Sequence, residues 1–547
     1  MTPLGGVGEI GKNMTVVEFG EDVLVIDCGL AFPEDDMLGI DLVIPDMSYL
    51  YGRKEKLRAI LLTHGHEDHV GGMPFLLREV KAPVYGSRLT LGMVERKLGE
   101  HNLRLPPESR PFTEGERLRL GCFEVEPFAV THSIPGALGF AIHTPEGTIV
   151  FTGDFKFDLT PVGGEVSDFA TLVRLGREGV LALFCDSTNA ERVGFTPSER
   201  TVGGTIERIV REAPGRVLVT TFASNVHRIQ QVMDVAVGCK RRVAVVGRSM
   251  ENTVQVSTRL GYLHVPDGLL LPTEAVNRTP PERVIVLTTG SQGEPMSALS
   301  RMASGEHRQV DLIPGDTVIL AATPVPGNEK MVHRTIDNLY RMGARVIYQR
   351  EAGVHVSGHA NREELKLMMT LVQPKWFIPV HGEYRHLIEN AAMAREIGVA
   401  DDHVLVGENG TNFEFSGDGC RVAGKVAAGA VLVDGLGVGD VGNVVMRDRR
   451  LLAEEGILVV SLAIRREDGA VVGGPDIASR GFVYMRDSED LMEEARARVL
   501  EVVSERTKRN GADLGGMRQT IRDALGQFVF EKVRRRPVVL PLFVEVD

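Results

Sequence analysis

Cysteine and aromatic residues are scarce in this sequence: five cysteines, one tryptophan and an aromatic share of 5% in 547 residues. Cys28, Cys122, Cys185, Cys239 and Cys420 are odd in number, widely spaced and never form a C-x-x-C pair, which excludes a disulfide framework and a thiolate zinc site. They read as small core residues. Long apolar runs are missing too. The longest, Val426–Val433 and Ile457–Ile464, fall far short of the roughly 18 residues a membrane span needs. No basic stretch followed by an apolar one opens the chain. The expectation is a cytoplasmic protein without membrane contact. Positive charge is in deficit, with a net charge of -12, which excludes indiscriminate coating of nucleic acid but leaves room for a local basic channel. The clusters Lys240–Arg242, Arg447–Arg450 and Arg534–Arg536 each read as a solvated face. No fixed-period repeat is visible, which leaves a solenoid without support.

What is present is an ordinary globular composition, 43% hydrophobic and 25% charged. At roughly 150 residues per domain the length calls for about three or four domains. Up to about residue 190, short apolar runs end abruptly in polar residues, as buried strands do: Val23–Ile26 before Asp27, Ala59–Leu62 before Thr63 and His64, Ile149–Phe151 before Asp154, Leu181–Phe184 before Asp186. From Pro197 to Ala360 strand-like runs alternate with helical stretches such as Asn225–Val237 and Lys330–Met342, the pattern of a doubly wound parallel sheet. Trp376–Val380 then returns to the first type of unit, leading into His381. The expected division is 1–196 and 361–438 as two parts of one domain, 197–360 as an insertion, 439–455 as a linker, and 456–547 as a small α+β domain with helices over Ser488–Arg506 and Met517–Arg534.

The segment Thr63-His64-Gly65-His66-Glu67-Asp68-His69 places four metal-ligand side chains, His64, His66, Asp68 and His69, in one short loop leaving a strand. Further strand ends supply His132, Asp154 and His381. Imidazoles and carboxylates without thiolate suit zinc or manganese, and seven such groups suffice for two ions. The expected allocation is His64, His66 and His132 on one ion, Asp68, His69 and His381 on the other, with Asp154 between them. A metal pair activates water and polarises an electrophile, so hydrolysis is the implied reaction. Gly6-Val7-Gly8-Glu9-Ile10-Gly11 fits G-x-G-x-x-G, but it precedes an apolar run instead of following a strand, which removes the context for a dinucleotide site.

The H-x-H-x-D-H loop with the later His and Asp resembles the metallo-β-lactamase fold, and the wider chain resembles its β-CASP branch, which acts on nucleic acids. Asp186 in Cys185-Asp186-Ser187-Thr188-Asn189, His359 in His355-Val356-Ser357-Gly358-His359 and His381 match that branch's three extra motifs; a histidine at the third is associated with RNA substrates. Leu4–Met14, Phe32–Asp41 and Ile378–His386 are similar to bacterial ribonuclease J, through nearly the whole chain. One departure is that the chain begins directly in the first of these motifs, without the extension many members carry. The resemblance implies an αββα sandwich with an inserted doubly wound α/β β-CASP domain and a small C-terminal α+β domain. It implies a two-metal ribonuclease acting mainly as a 5′-to-3′ exonuclease on 5′-monophosphate ends of single-stranded RNA, with endonuclease activity, in mRNA decay and RNA maturation, rRNA processing included. The implied cofactors are two Zn²⁺ per subunit, with Mn²⁺ or Mg²⁺ as activating ions, and the implied assembly is a homodimer or tetramer through the C-terminal domain, with an RNA-degradation complex as a further partner.

Within that frame His359 is the candidate general acid for the leaving 3′ oxygen, because imidazole can be tuned to the working pH. Asp186 is expected to orient a ligand histidine, and Asp68 to serve catalysis as well as metal binding. Asp27 is a similar supporting candidate or a structural turn residue. His355 and Ser357 are candidate phosphate donors. In the insertion, Ser224 and Asn225 precede a helix and Ser291 lies at a strand end, positions where phosphate binds; an ordinary capped helix accounts equally for Ser224 and Asn225. Phe32 offers a ring either to stack on a base or to pack in a core. Two other readings are a DNA or small-molecule hydrolase on the same metal core, and a catalytically inactive RNA-binding subunit; the filled ligand positions speak against the second.

Overall fold

The computed structural model describes all residues except 35, 114, 295, 325–327, 349–351, 417–418, 436, 468–469, 483–488, 511–513 and 547, with backbone alone at 508–510. Two compact units emerge: residues 1–32 with 42–431, and residues 33–41 with 432–547. Ser488, expected to open a helix, lies outside the described residues.

The first unit contains two six-stranded sheets. One runs Thr2–Gly5, Met14–Phe19, Asp22–Ile26, Leu57–Leu61, Val84–Gly86, Arg110–Pro111 in spatial order, and the other Pro374–Val380, Val180–Asp186, Gly147–Phe151, Leu138–Thr144, Phe123–Ala129, Leu118–Leu120. They pack face to face because alternate residues of each are apolar: Leu24, Ile26 and Leu61 of the first meet Phe140, Ile142 and Phe184 of the second. Each such side chain contributes roughly 1.5–3 kcal/mol by leaving water. The alternate set, Ala141, Val150, Leu183 and Phe377, faces outward onto Leu172 and Leu175 of the helix Phe169–Glu178 and Leu365 and Met369 of the helix Arg362–Val372.

Parallel pairing brings the functional strand ends to one edge. Asp22–Ile26 runs parallel to Leu57–Leu61, and Val180–Asp186 is flanked by two parallel neighbours, Gly147–Phe151 and Pro374–Val380. The residues that follow these strands therefore emerge together. The chain leaves the sandwich after Val180–Asp186 and returns in the adjacent strand, Asp186 opposite Val380.

Between them lies a five-stranded, all-parallel sheet ordered Arg242–Val246, Val284–Thr288, Val217–Thr220, Thr317–Leu320, Arg345–Ile347. It is covered on both faces, as the doubly wound pattern predicts. Val219, Val243 and Leu287 pack with Ile206, Ile229 and Met250 on one side, while Leu218, Val286 and Val318 pack with Leu299 and Ile336 on the other.

In the second unit Ile457–Arg465 is the central strand, antiparallel to Val471–Arg480 and parallel to Val538–Val546. One face buries Leu458, Val460 and Leu462 against Val499 and Val503 of the helix Glu489–Asn510 and Ile521 and Leu525 of the helix Leu514–Val533.

Several expectations need correction. Residues 439–455, read as a linker, contain the helix Asn443–Glu455, because the helix formers of Arg447–Glu455 outweigh the preceding glycines. The strand Val471–Arg480 has no continuous strand pattern in the sequence, because Gly473, Gly474 and Pro475 interrupt it. Cys28 and Cys185 are buried, but Cys122, Cys239 and Cys420 are only half-buried; all five are free. Arg241 is not on a solvated face: it is buried and donates to the carbonyls of Val210, Ala213 and Gly215. The glycine-rich Val7–Gly8 is a short strand beside Gly382–Glu383, not a helix entry.

Candidate metal centre

At the shared edge the seven expected ligands form two groups, His64 with His66 and His132, and Asp68 with His69, Asp154 and His381; within each group the possible ligand atoms lie within 4.8 Å of one another. Asp154 touches both groups, its Oδ2 3.7 Å from His64 Nε2, 3.9 Å from His132 Nε2 and 3.2 Å from His69 Nε2. Its Oδ1 is 3.5 Å from His381 Nδ1. Asp68 Oδ2 stands 3.4 Å from His381 Nε2 and 3.5 Å from His69 Nε2.

The ring nitrogens facing away from the centre are each committed. Thr63 Oγ1 donates to Asp27 Oδ2 (2.8 Å) and so accepts from His64 Nδ1 (3.0 Å). His69 Nδ1 donates to Asp27 Oδ2 (2.7 Å), and His132 Nδ1 to the carbonyl of Gly358 (2.7 Å). His381 Nδ1 lies 2.7 Å from Thr188 Oγ1 and 3.2 Å from Asp186 Oδ1. These bonds put a proton on each Nδ1 and turn each Nε2 toward the centre, where a neutral ring presents its lone pair to a metal. His66 is reversed: Nε2 lies 3.3 Å from Ser133 Oγ, and Nδ1 points inward, 3.0 Å from His64 Nε2 and 3.2 Å from His132 Nε2. With the proton of His66 on Nε2, three imidazole lone pairs converge at these distances, a donor set that a cation satisfies. The residues fit a metal.

The electrostatics agree. Burial pushes His64 and His132 well below the ordinary histidine range and His66 to about 4, so these rings are neutral, as ligands must be. Burial opposes charge at His69 and His381 as well, yet Asp154 and the nearby carboxylates hold His69 well above its usual range and His381 at about 10. The carboxylate-rich half of the site therefore draws positive charge. Asp68 and Asp186 stay well below the carboxylate range in spite of burial, through His69 and His381 for Asp68 and through His359 and His381 for Asp186.

His359 stands beside this centre, its Nδ1 2.8 Å from Asp186 Oδ2. Asp186, His359, His381 and Asp154 form a third group of converging donors. Ser357 Oγ accepts from Asn189 Nδ2 (2.9 Å) and from the His359 amide (3.2 Å), holding the loop. His355 Nδ1 meets Arg228 Nη1 at 3.0 Å. Asn225 Oδ1 accepts from the Arg228 amide, so this oxygen caps the helix Val226–Gly238. Ser224 is half-buried and Ser291 buried. Phe32 is 70% exposed and does not pack in a core. Thr63, Ser133, Thr188 and the carbonyl of Gly358 were not singled out from the sequence; all lie within or next to the quoted motifs, but none has a side chain that announces a ligand.

Comparison with known proteins gives a consistent picture. Residues 7–180 match the metallo-beta-lactamase superfamily, 214–339 the ribonuclease J beta-CASP domain, 343–406 the Zn-dependent metallo-hydrolase RNA specificity domain, and 444–546 the ribonuclease J C-terminal domain. A solved structure of a protein of unknown function from Enterococcus faecalis V583 shares the fold, with a TM-score of 0.52 at 16% identity over 75% of this chain and 97% of that one. Ribonuclease J2 of Bacillus subtilis is 44% identical over 99% of this chain and 98% of its own length, ribonuclease J of Thermus thermophilus 44% over 99% and 94%, and ribonuclease J of Mycolicibacterium smegmatis 42% over 100% and 97%. With matches to both ribonuclease J domain models and full-length identity at this level, the chain belongs to the ribonuclease J family.

Proposed function

We propose that the chain is a metal-dependent ribonuclease that hydrolyses the phosphodiester bonds of single-stranded RNA. It acts mainly as a 5′-to-3′ exonuclease on 5′-monophosphate ends, with some endonuclease activity. The observation that carries this reading is the convergence of inward ring nitrogens around Asp154 with the His359–Asp186 pair alongside. In this reading His64, His66 and His132 would hold one ion and Asp68, His69 and His381 a second, with Asp154 within reach of both groups. Zinc suits the thiolate-free donor set, with manganese or magnesium as activating ions. When bound, such a pair activates water and offsets the charge of the phosphoryl group.

The protein's own groups do the rest. Asp186 orients His359 through Nδ1, which leaves Nε2 free to give a proton to the departing 3′ oxygen. Asp27 and Thr63 keep His69 and His64 in their ligating tautomers. His355 and Ser357 face the RNA backbone, and Ser224, Asn225 and Ser291 of the inserted domain belong to the same track, Asn225 through its side-chain Nδ2, since its oxygen caps the helix and its backbone N–H donates to the carbonyl of Phe222. The domain division proposed is 1–196 with 361–438, the insertion 197–360, a helical connector within 439–455, and 456–547. The exposed Leu540, Leu542 and Val544 on one face of the C-terminal sheet support a homodimer or tetramer formed there. Among the described residues no helix is long and apolar enough to cross a membrane, and a cytoplasmic site of action fits the substrate.

The test is a time course on 5′-monophosphorylated, 5′-labelled single-stranded RNA at constant manganese, comparing wild type with His66→Ala and His359→Ala. Early labelled mononucleotide from wild type alone is expected. Labelled internal fragments would make it chiefly an endonuclease, and equal activity in all three samples would overturn the site.

A further inference from the structure

The insertion is joined to the sandwich through a buried charged network that none of the roles above explains. Arg228, on the first turn of the helix Val226–Gly238, is wholly buried and meets Glu199 with two bonds, Nε to Oε1 at 2.9 Å and Nη2 to Oε2 at 2.8 Å. Glu199 belongs to the crossing from sandwich to insertion, and its amide donates to Asp158 Oδ2 (2.9 Å), which lies 3.5 Å from Lys156 Nζ. A bidentate carboxylate fixes the plane of a guanidinium, so Glu199 decides where the remaining N–H groups of Arg228 point. Nη1 donates to the carbonyl of Ala321, just past the strand Thr317–Leu320, and reaches the other crossing at His355 Nδ1, 3.0 Å away.

A guanidinium can only donate. His355 Nδ1 must therefore be the unprotonated nitrogen, and its proton must sit on Nε2. Burial, with Arg228 and the cations Arg192 and Lys156 nearby, holds this imidazole well below the usual histidine range, against a smaller opposite pull from the carbonyl of Ala321, so the ring is neutral and the tautomer decides what it offers.

We propose that Arg228 is a positioning residue for RNA binding: held flat by Glu199, it locks His355 as the Nε2–H tautomer and so presents a hydrogen-bond donor to a backbone phosphate of the substrate. The inference rests on the reading that His355 meets the RNA backbone. A donor to a charged phosphate contributes an effect of roughly tenfold in affinity.

The experiment is a double-mutant cycle on the metal-loaded full chain, with KM and kcat measured on a 5′-monophosphorylated single-stranded oligoribonucleotide. His355→Ala is expected to raise KM roughly tenfold with little change in kcat. Arg228→Lys keeps the charge opposite Glu199 but loses the second arm, and is expected to raise KM severalfold in the His355 background and to add nothing in the His355→Ala background. Equal effects of Arg228→Lys in both backgrounds would make Arg228 a folding residue only and overturn the proposal. No change in KM for His355→Ala would instead overturn the reading of His355 itself. Should Arg228→Lys fail to fold, ¹⁵N-histidine spectra of the unaltered protein decide the matter: an unprotonated Nδ1 at the His355 resonance, identified by its loss in His355→Ala, supports the lock, and a protonated Nδ1 overturns it.

Discussion

Asp186 and His381 stand 195 residues apart in the chain and 3.2 Å apart in space, Oδ1 to Nδ1, because the strands they terminate are parallel neighbours in one sheet. The whole inserted domain is looped out between them. The same carboxylate reaches His359 through its other oxygen, so one side chain orients two histidines brought in by different segments.

Asp186→Asn keeps the shape but removes the charge that faces both rings. Activity on RNA is expected to fall roughly 10–100-fold, with weaker metal retention on dialysis. Metal content and kcat measured on one preparation check this; unchanged values for both would show that Asp186 does not position these histidines.

Gly358→Ala tests the contact between loop and ligand. A Cβ at this position would stand 2.6 Å from His132 Cε1, so the ring or the loop must move and the 2.7 Å bond to His132 Nδ1 is strained. Loss of metal from the His64, His66 and His132 group is expected at nearly wild-type thermal stability. Full occupancy in elemental analysis would contradict the assignment of His132.

Chelated protein should show a pH optimum of stability near the ordinary histidine pKa of about 6.5. His381 is raised to about 10, so its contribution is complete below 6.5 and fades as pH climbs toward 10. His66 is lowered to about 4, so a penalty grows as pH falls from 6.5 toward 4. Thermal midpoints across pH 4–10 with chelator, then with zinc, provide the check. Zinc should flatten the profile, and a flat profile without metal would sink the argument.

Glu364→Gln probes the joint. This buried carboxylate accepts the amides of Phe157 (2.8 Å), Thr196 (2.6 Å) and Asn361 (2.9 Å), tying the sandwich to both crossings. An amide in its place turns a donor toward at least one N–H. A loss of about 1–3 kcal/mol is expected from denaturant midpoints, and no shift would mean that the amides find other partners.

The local record in the sequence was rich. The loop from His64 to His69 carries its candidate ligands within one turn after a strand, and apolar runs that stop at Asp27, Asp154, Asp186 and His381 mark strand ends, because a buried strand needs continuous apolar side chains and its exit does not. The alternation over 197–360 likewise revealed a doubly wound sheet, since period and spacing are local properties.

Other features depended on how distant segments meet. That Thr63 relays between Asp27 and His64, that Ser133 turns His66 around, and that the carbonyl of Gly358 holds His132 could not be read from residue type, because a hydroxyl or a backbone oxygen is chemically unremarked until a ring nitrogen is placed against it. Arg228 is the clearest case. As a sequence letter it is one more base following a capped helix start, and only the two segments that meet it at Glu199 and His355 make it a buried donor with a fixed direction. The sequence by itself determined which groups could bind metal and where strands end; which nitrogen of each histidine faces the centre was decided by tertiary hydrogen bonds, since tautomer and ring orientation belong to the partner across space and not to the residue.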